Sequence, residues 1–172
     1  MTQLQSALAV ILVENKTPQF ELQESKVLVP KEAYSALKKW NSKFIPYSQK
    51  DYGPEELSIF KDKQYGPSYF LADVSGDQKN DLVLYGHDEK KNYVIAVIDD
   101  FKLWKVVVVR SWQKPAASEK DLEKSADMPV YILPARGEIT SKLKNKTGIQ
   151  IESSSGNVEV FEVKNAEAIS LR

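Results

Sequence analysis

The chain is 172 residues long, 42% hydrophobic and 28% charged, with 24 basic and 24 acidic side chains. That length and apolar content suit one folded domain with its own core and exclude a disordered chain. The charge balance excludes a general attraction to nucleic acid or anionic lipid. The absence of cysteine excludes disulfides, thiol catalysis and zinc–thiolate sites, and the single histidine, His87, excludes a multi-histidine metal site within one chain.

In chain order, Leu4, Leu8, Ile11 and Leu12 recur at helical spacing, although the Val and Ile around them also suit a strand. The apolar run 7–13 is too short to span a bilayer. No Lys or Arg precedes it, so it is not an intact signal peptide. Phe20, Leu22 and 27–29 read as short extended pieces. Pro30 opens a helix, since its missing N–H costs nothing at a first helical position. Ala33, Tyr34, Leu37 and Trp40 form the apolar stripe of that helix. Phe44 and Ile45 follow as core. Gly53-Pro54-Glu55-Glu56 reads as a second helix start with acids in the first turn, carrying Leu57 and Phe60 inward.

From Ser68 the pattern turns to β. Strands are expected at Tyr69–Ala72, Leu82–Gly86, Tyr93–Ile98 and Leu103–Arg110, spaced as an antiparallel meander. The run Val106–Val109 is β-branched and apolar on both faces, which predicts a central strand. Ser118-Glu119-Lys120-Asp121 resembles a capping box for a short helix to about Ser125. Strands are expected again at Met128–Leu133, Gly148–Glu152, Val158–Val163 and Ala168–Leu171. The expected fold class is α+β: one domain over 1–172, mainly an antiparallel meander running to the C-terminus. Helices from the N-terminal third are expected on one face of that sheet.

The most chemically specific stretch is 73–81. Asp73, Ser75, Asp77 and Asp81 occupy loop positions one, three, five and nine, and Lys79 at seven can offer its carbonyl. Oxygen ligands at alternate positions of a tight loop suit a hard cation such as Ca²⁺. Position twelve is Leu84 rather than Glu, and the flanks read as strands, so this is no EF-hand. The competing reading is a polar β-turn, because Asp, Ser, Gly and Asn favour turns by local hydrogen bonding.

Leu71–Tyr85 resembles the calcium loop of FG-GAP/VCBS-type repeats, whose pattern is D-x-[DN]-G-D-G-x-x-D before an apolar strand. The similar unit spans about 68–98 and occurs once, which argues against a propeller. Ser75 replaces the usual Asp or Asn. Gln78 replaces the Gly that tolerates a positive φ. Both departures lower the expected affinity. The resemblance implies a structural Ca²⁺ held by Asp73, Ser75, Asp77, Lys79 and Asp81. It implies a small exported bacterial protein, periplasmic or extracellular, whose leader has been removed. It also implies a non-enzymatic binding or interaction module for a protein or glycan partner, with no nucleic acid and no membrane span.

Other groups read as structural. His87-Asp88-Glu89 is a charged hairpin turn whose consecutive side chains diverge. Glu55-Glu56 and Asp99-Asp100 suit a helix start and a turn better than an acid/base pair. No P-loop, G-x-S-x-G or G-x-G-x-x-G is present. Two alternative functions remain at this level: a carboxylate-based hydrolase acting on a glycan or peptide, and an inhibitor or immunity-type protein. The latter would present an exposed aromatic patch around one protruding loop. For a sugar- or peptide-binding face the candidate is Trp112, beside Arg110 and Gln113.

Overall fold

A computed structural model describes residues 10–11, 19–22, 25–28, 30–60, 66–100, 103–114, 129–135, 143, 146–153 and 155–171. The helix expected at 118–125 lies outside these residues, as do Leu4, Leu8 and Leu12. Val10–Ile11 (β1), Gln19–Leu22 (β2) and Ser25–Leu28 (β3) form a three-stranded antiparallel sheet, so Ile11 sits in a strand rather than on a helix face.

Helix α1 spans Lys31–Trp40. Pro30 precedes it as the N-cap residue, with an extended ψ of 140°, one position earlier than a first helical residue. Its carbonyl accepts from the Tyr34 amide at 3.0 Å. Glu32 in the first turn and Lys38 and Lys39 in the last complement the helix dipole. A two-residue strand, Ile45–Pro46 (β4), a 3₁₀ turn, Gln49–Asp51, and a short helix, Pro54–Ser58 (α2), follow. Phe44 and Phe60 are buried, whereas Leu57 is only half-buried and Ile45 is 56% exposed. Ile45 therefore leaves the expected core. Its backbone, rather than its side chain, is used, as a short edge pairing on the next sheet.

The expected single sheet is two. Tyr69–Ala72 (β5), Asp81–His87 (β6), Lys91–Asp100 (β7) and Leu103–Gln113 (β8) form a meander, and β4 completes five strands. Pro129–Ala135 (β9), Gly148–Ser153 (β10), Val158–Lys164 (β11) and Glu167–Ser170 (β12) form a separate four-stranded antiparallel sheet. The turn before β12 places Asn165 at φ 53° and Ala166 at φ 59°, the left-handed pair of a tight hairpin.

The two sheets face each other across one core. Phe70, Val83, Val94, Ala96, Ile98 and Val107 from the first meet Ile132, Ile149, Ile151, Phe161 and Val163 from the second. The opposite face of the first sheet, through Leu82, Leu84, Ile95 and Val97, packs on Ala33 and Leu37 of α1 and on Phe44. Each fully buried side chain of this kind contributes about 1.5–3 kcal/mol. The result is mainly antiparallel β structure with one ten-residue helix against it.

Strand β8 corrects a second expectation. Among the described strands, Val106–Val109 lies at the end of the five-stranded order, hydrogen-bonded to β7. Val107 and Val109 face the second sheet and Val106 is half-buried against the α1 layer, whereas Val108 is 40% exposed, so the run's apolar second face is only partly covered. A bulge opposite Val94 and Ile95 shifts the register, so that Arg110 pairs Val94 while Val108 pairs Ile95. Beyond it Trp112 packs on the inter-sheet core, and Arg110 reaches Glu159 of β11 at 3.3 Å.

Gly86 sets how close β4 can come. A Cβ there would lie 2.5 Å from the Ile45 carbonyl oxygen, 2.6 Å from Phe44 Cζ and 2.7 Å from Pro46 Cα. Gly86→Ala is expected to expel β4 and to cost about 1–3 kcal/mol. Urea unfolding checks this; an unchanged midpoint would refute the close approach.

Candidate metal centre

The loop joins β5 to β6, which pair from Ala72↔Asp81 inward, so strand pairing brings Asp73 and Asp81 to its neck. Val74 is fully buried in the inter-sheet core and pins the near side of the loop from within. Positive φ at Gly76 (85°) and Gln78 (69°) turns the chain at the tip. Gln78 thus carries the strained conformation expected of it. An L-residue there costs about 1–2 kcal/mol relative to its relaxed state.

Asp73 is spent on the loop itself. Its Oδ1 accepts from the Gly76 amide at 2.6 Å and the Asp77 amide at 3.1 Å, and its Oδ2 accepts from Gln78 at 2.9 Å. Asp77 Oδ1 accepts from the Lys79 amide at 2.9 Å. The Lys79 ammonium extends to Asp99 at 2.8 Å and stands 3.9 Å from Asp77 Oδ2. Lys146, two residues before β10, lies against Gly76, with its ammonium 3.1 Å from Glu162.

Asp81 differs from the others. Its carboxylate is 1% exposed, and Oδ2 accepts from the Val74 amide at 3.0 Å and the Ser75 amide at 2.9 Å. Its Oδ1 and the Ser75 hydroxyl are both buried without a hydrogen bond of normal geometry, and the hydroxyl interacts only with the Asp81 carboxylate itself. Burial pushes the Asp81 carboxyl up, and the nearby charge of Asp77 adds to it. The Ser75 amide and hydroxyl and the Val74 amide oppose this without cancelling it.

The donor chemistry therefore fits an oxygen-ligated cation at one point, the orphaned Asp81 Oδ1 and Ser75 Oγ. Asp77 Oδ2 and the remaining lone pair of Asp73 are the other side-chain oxygens in hand. Among the described residues, no three His, Cys, Asp or Glu side chains converge in a ready metal cage. The five expected ligand residues thus share one loop, but only Asp81 and Ser75 hold unclaimed buried oxygens.

Residues 87–89 play a part that their sequence does not reveal. Asp88 accepts from the Lys90 and Lys91 amides, from Asn41 Nδ2 at 2.9 Å and from the Tyr93 hydroxyl at 2.9 Å. Burial works to raise its carboxyl, but these four donors hold it well below the usual carboxylate range. They tie the β6–β7 hairpin to the end of α1, beside the edge-on rings of Trp40, Phe44 and Tyr93. The adjacent acids Asp99 and Asp100 are taken up by Lys79 and Lys105.

Asp73→Ala should leave three loop amides without their acceptor and lower stability by about 1–3 kcal/mol, with Asp73→Asn intermediate. Asp88→Asn should also destabilise. A depressed carboxyl contributes stability above the ordinary Asp range of about 4 and loses it as pH falls through the lower folded value. The gap between wild type and Asp88→Asn should therefore close on acidification; a constant gap in unfolding experiments would refute the assignment. No family model matches this chain, and no significant match was found among curated proteins or solved structures.

Proposed function

We propose that this chain is a non-enzymatic binding or interaction module of an extracytoplasmic compartment, whose Asp73–Asp81 loop takes one structural Ca²⁺. The observation that supports the reading is the buried Asp81 Oδ1 and Ser75 Oγ at the loop neck, which have no hydrogen bond of normal geometry and no donor or acceptor beyond each other. A buried polar atom without a partner costs about 1–3 kcal/mol, and a cation would remove that cost at both atoms. Asp81, Ser75, Asp77 and Asp73 would hold the ion, which would supply positive charge to a loop containing three carboxylates. The amides donated to Asp73 also brace the loop, and the ion would act together with them.

The extracytoplasmic setting supports a weak site. Calcium is roughly millimolar there, and extracellular modules bind it with a Kd of about 0.1–1 mM. Filling such a site at 1 mM stabilises by about 0.4–1.4 kcal/mol. No helix among the described residues is long and apolar enough to cross a membrane. The partner in this reading is a protein or glycan. The half-buried Trp112, with Arg110 stacked at 5.8 Å, is the aromatic surface nearest to such a role.

The test compares thermal unfolding in 1 mM Ca²⁺ and in chelator. A rise of about 1–6 °C is expected for the wild type, a smaller one for Ser75→Ala and none for Asp81→Asn. Equal wild-type midpoints would remove the ion. The pH dependence gives a second check. A raised carboxyl makes the native state hold its proton more tightly than the unfolded chain. Stability in chelator should then fall as pH rises from the ordinary Asp range through the raised Asp81 value. Asp81→Asn should lack that component, and Ca²⁺ should offset it in the wild type.

A further inference from the structure

His87 closes β6, and its Nδ1 faces two groups of opposite kind. Lys114 Nζ stands 2.8 Å away, and the Asp88 carbonyl oxygen 3.2 Å away. An ammonium can only donate and a carbonyl can only accept. One ring nitrogen therefore satisfies one of them at a time. Without a proton it accepts from Lys114; with one it donates to Asp88.

We infer that His87 is an acid-operated latch: its neutral ring holds Lys114 against the β6–β7 hairpin, and its protonated ring turns to the Asp88 carbonyl and releases Lys114. This inference is independent of the calcium reading and uses no residue of the loop.

The ring is held beside these two groups. Tyr47 packs on it at 4.9 Å, and the Tyr47 hydroxyl is fixed to Asn92 Oδ1 at 2.7 Å. His87 pairs Asn92, which pairs Trp112, so the ring lies in a three-strand row two residues from Lys114. The Lys114 amide stays bonded to the Lys90 carbonyl at 2.8 Å, so release concerns the side chain and the strand end rather than the whole ladder.

The nearby charges do not replace the switch. Asp88 directs its carboxylate to Lys90, Lys91, Asn41 and Tyr93, and Glu89 is paired with Lys43. Lys90 and Lys91 share the hairpin turn, Asp51 lies beyond Tyr47, and Arg110 on β8 is held by Glu159. Among the described residues, no carboxylate forms an ion pair with the ring that would hold imidazolium and ammonium together. Two like charges 2.8 Å apart repel strongly in a half-buried site, so protonation expels the lysine.

The chain has one histidine, so its imidazole nitrogen signals are unambiguous. In ¹⁵N spectra of the full chain at pH 8, the Nε2–H tautomer is expected, with Nδ1 accepting. In Lys114→Met the ring should switch to Nδ1–H, because Asp88 is then the remaining partner. On acidification of the wild type, the amide signals of Trp112, Gln113 and Lys114 should shift together with those of the ring. In His87→Gln, which keeps an acceptor but has no ring to protonate, those three shifts should be lost. An Nδ1–H tautomer in the wild type at pH 8, an unchanged tautomer in Lys114→Met, or amide shifts that survive in His87→Gln would each overturn the latch.

Discussion

Strands β6 and β7 are dry on both faces, and most of the remaining chain is disposed to keep them so. Val83, Val94, Ala96 and Ile98 face the second sheet, while Leu84, Ile95 and Val97 face the helix layer. A strand buried on both sides can meet water only at its ends. Polar chemistry is accordingly displaced to those ends: Asp81 at the start of β6, and His87 and Asp88 at its finish. Each of these side chains closes a turn by accepting hydrogen bonds from backbone amides or a lysine. The loop and the hairpin are thus two solutions to the same problem of leaving a dry layer without stranding backbone amides.

The two ends resolve that problem differently. Asp88 has four donors, and its charge is fully accommodated. Asp81 has two amide donors on one oxygen and no amide on the other, and it is almost wholly buried. A fold rarely retains such an imbalance without a compensating group.

Much of this was legible in the sequence because strand period and turn residues are local properties. The borders of β5, the positions of β6, β7 and β8 (each longer than expected by two to four residues), the left-handed Gln78 and the stripe Ala33–Leu37 all follow from nearest neighbours along the chain. What failed is lateral. Period reveals which faces are buried but not which strand lies beside which, so Val106–Val109 looked central although only β7 pairs with it among the described strands. The break between the two sheets falls near residues outside the described set, and no residue pattern announced it. Asp88 was invisible for a related reason: its partner Asn41 lies 47 residues away. Ile45 misled because apolar type was read as burial, whereas its main chain is what the sheet uses.

The edge of β6 away from β7 is shared by two short pieces, with β5 against Asp81–Leu84 and β4 against Gly86–His87. Between them the Tyr85 amide donates to Ser68 and its carbonyl accepts from Tyr47. No continuous row of free amides is left along that strand, and neither piece is long enough to template another chain. Edge-to-edge polymerisation of the cross-β kind needs such a row. On this flank of the sheet the protein is therefore protected against fibre growth by interruption of its own border, rather than by surface charge.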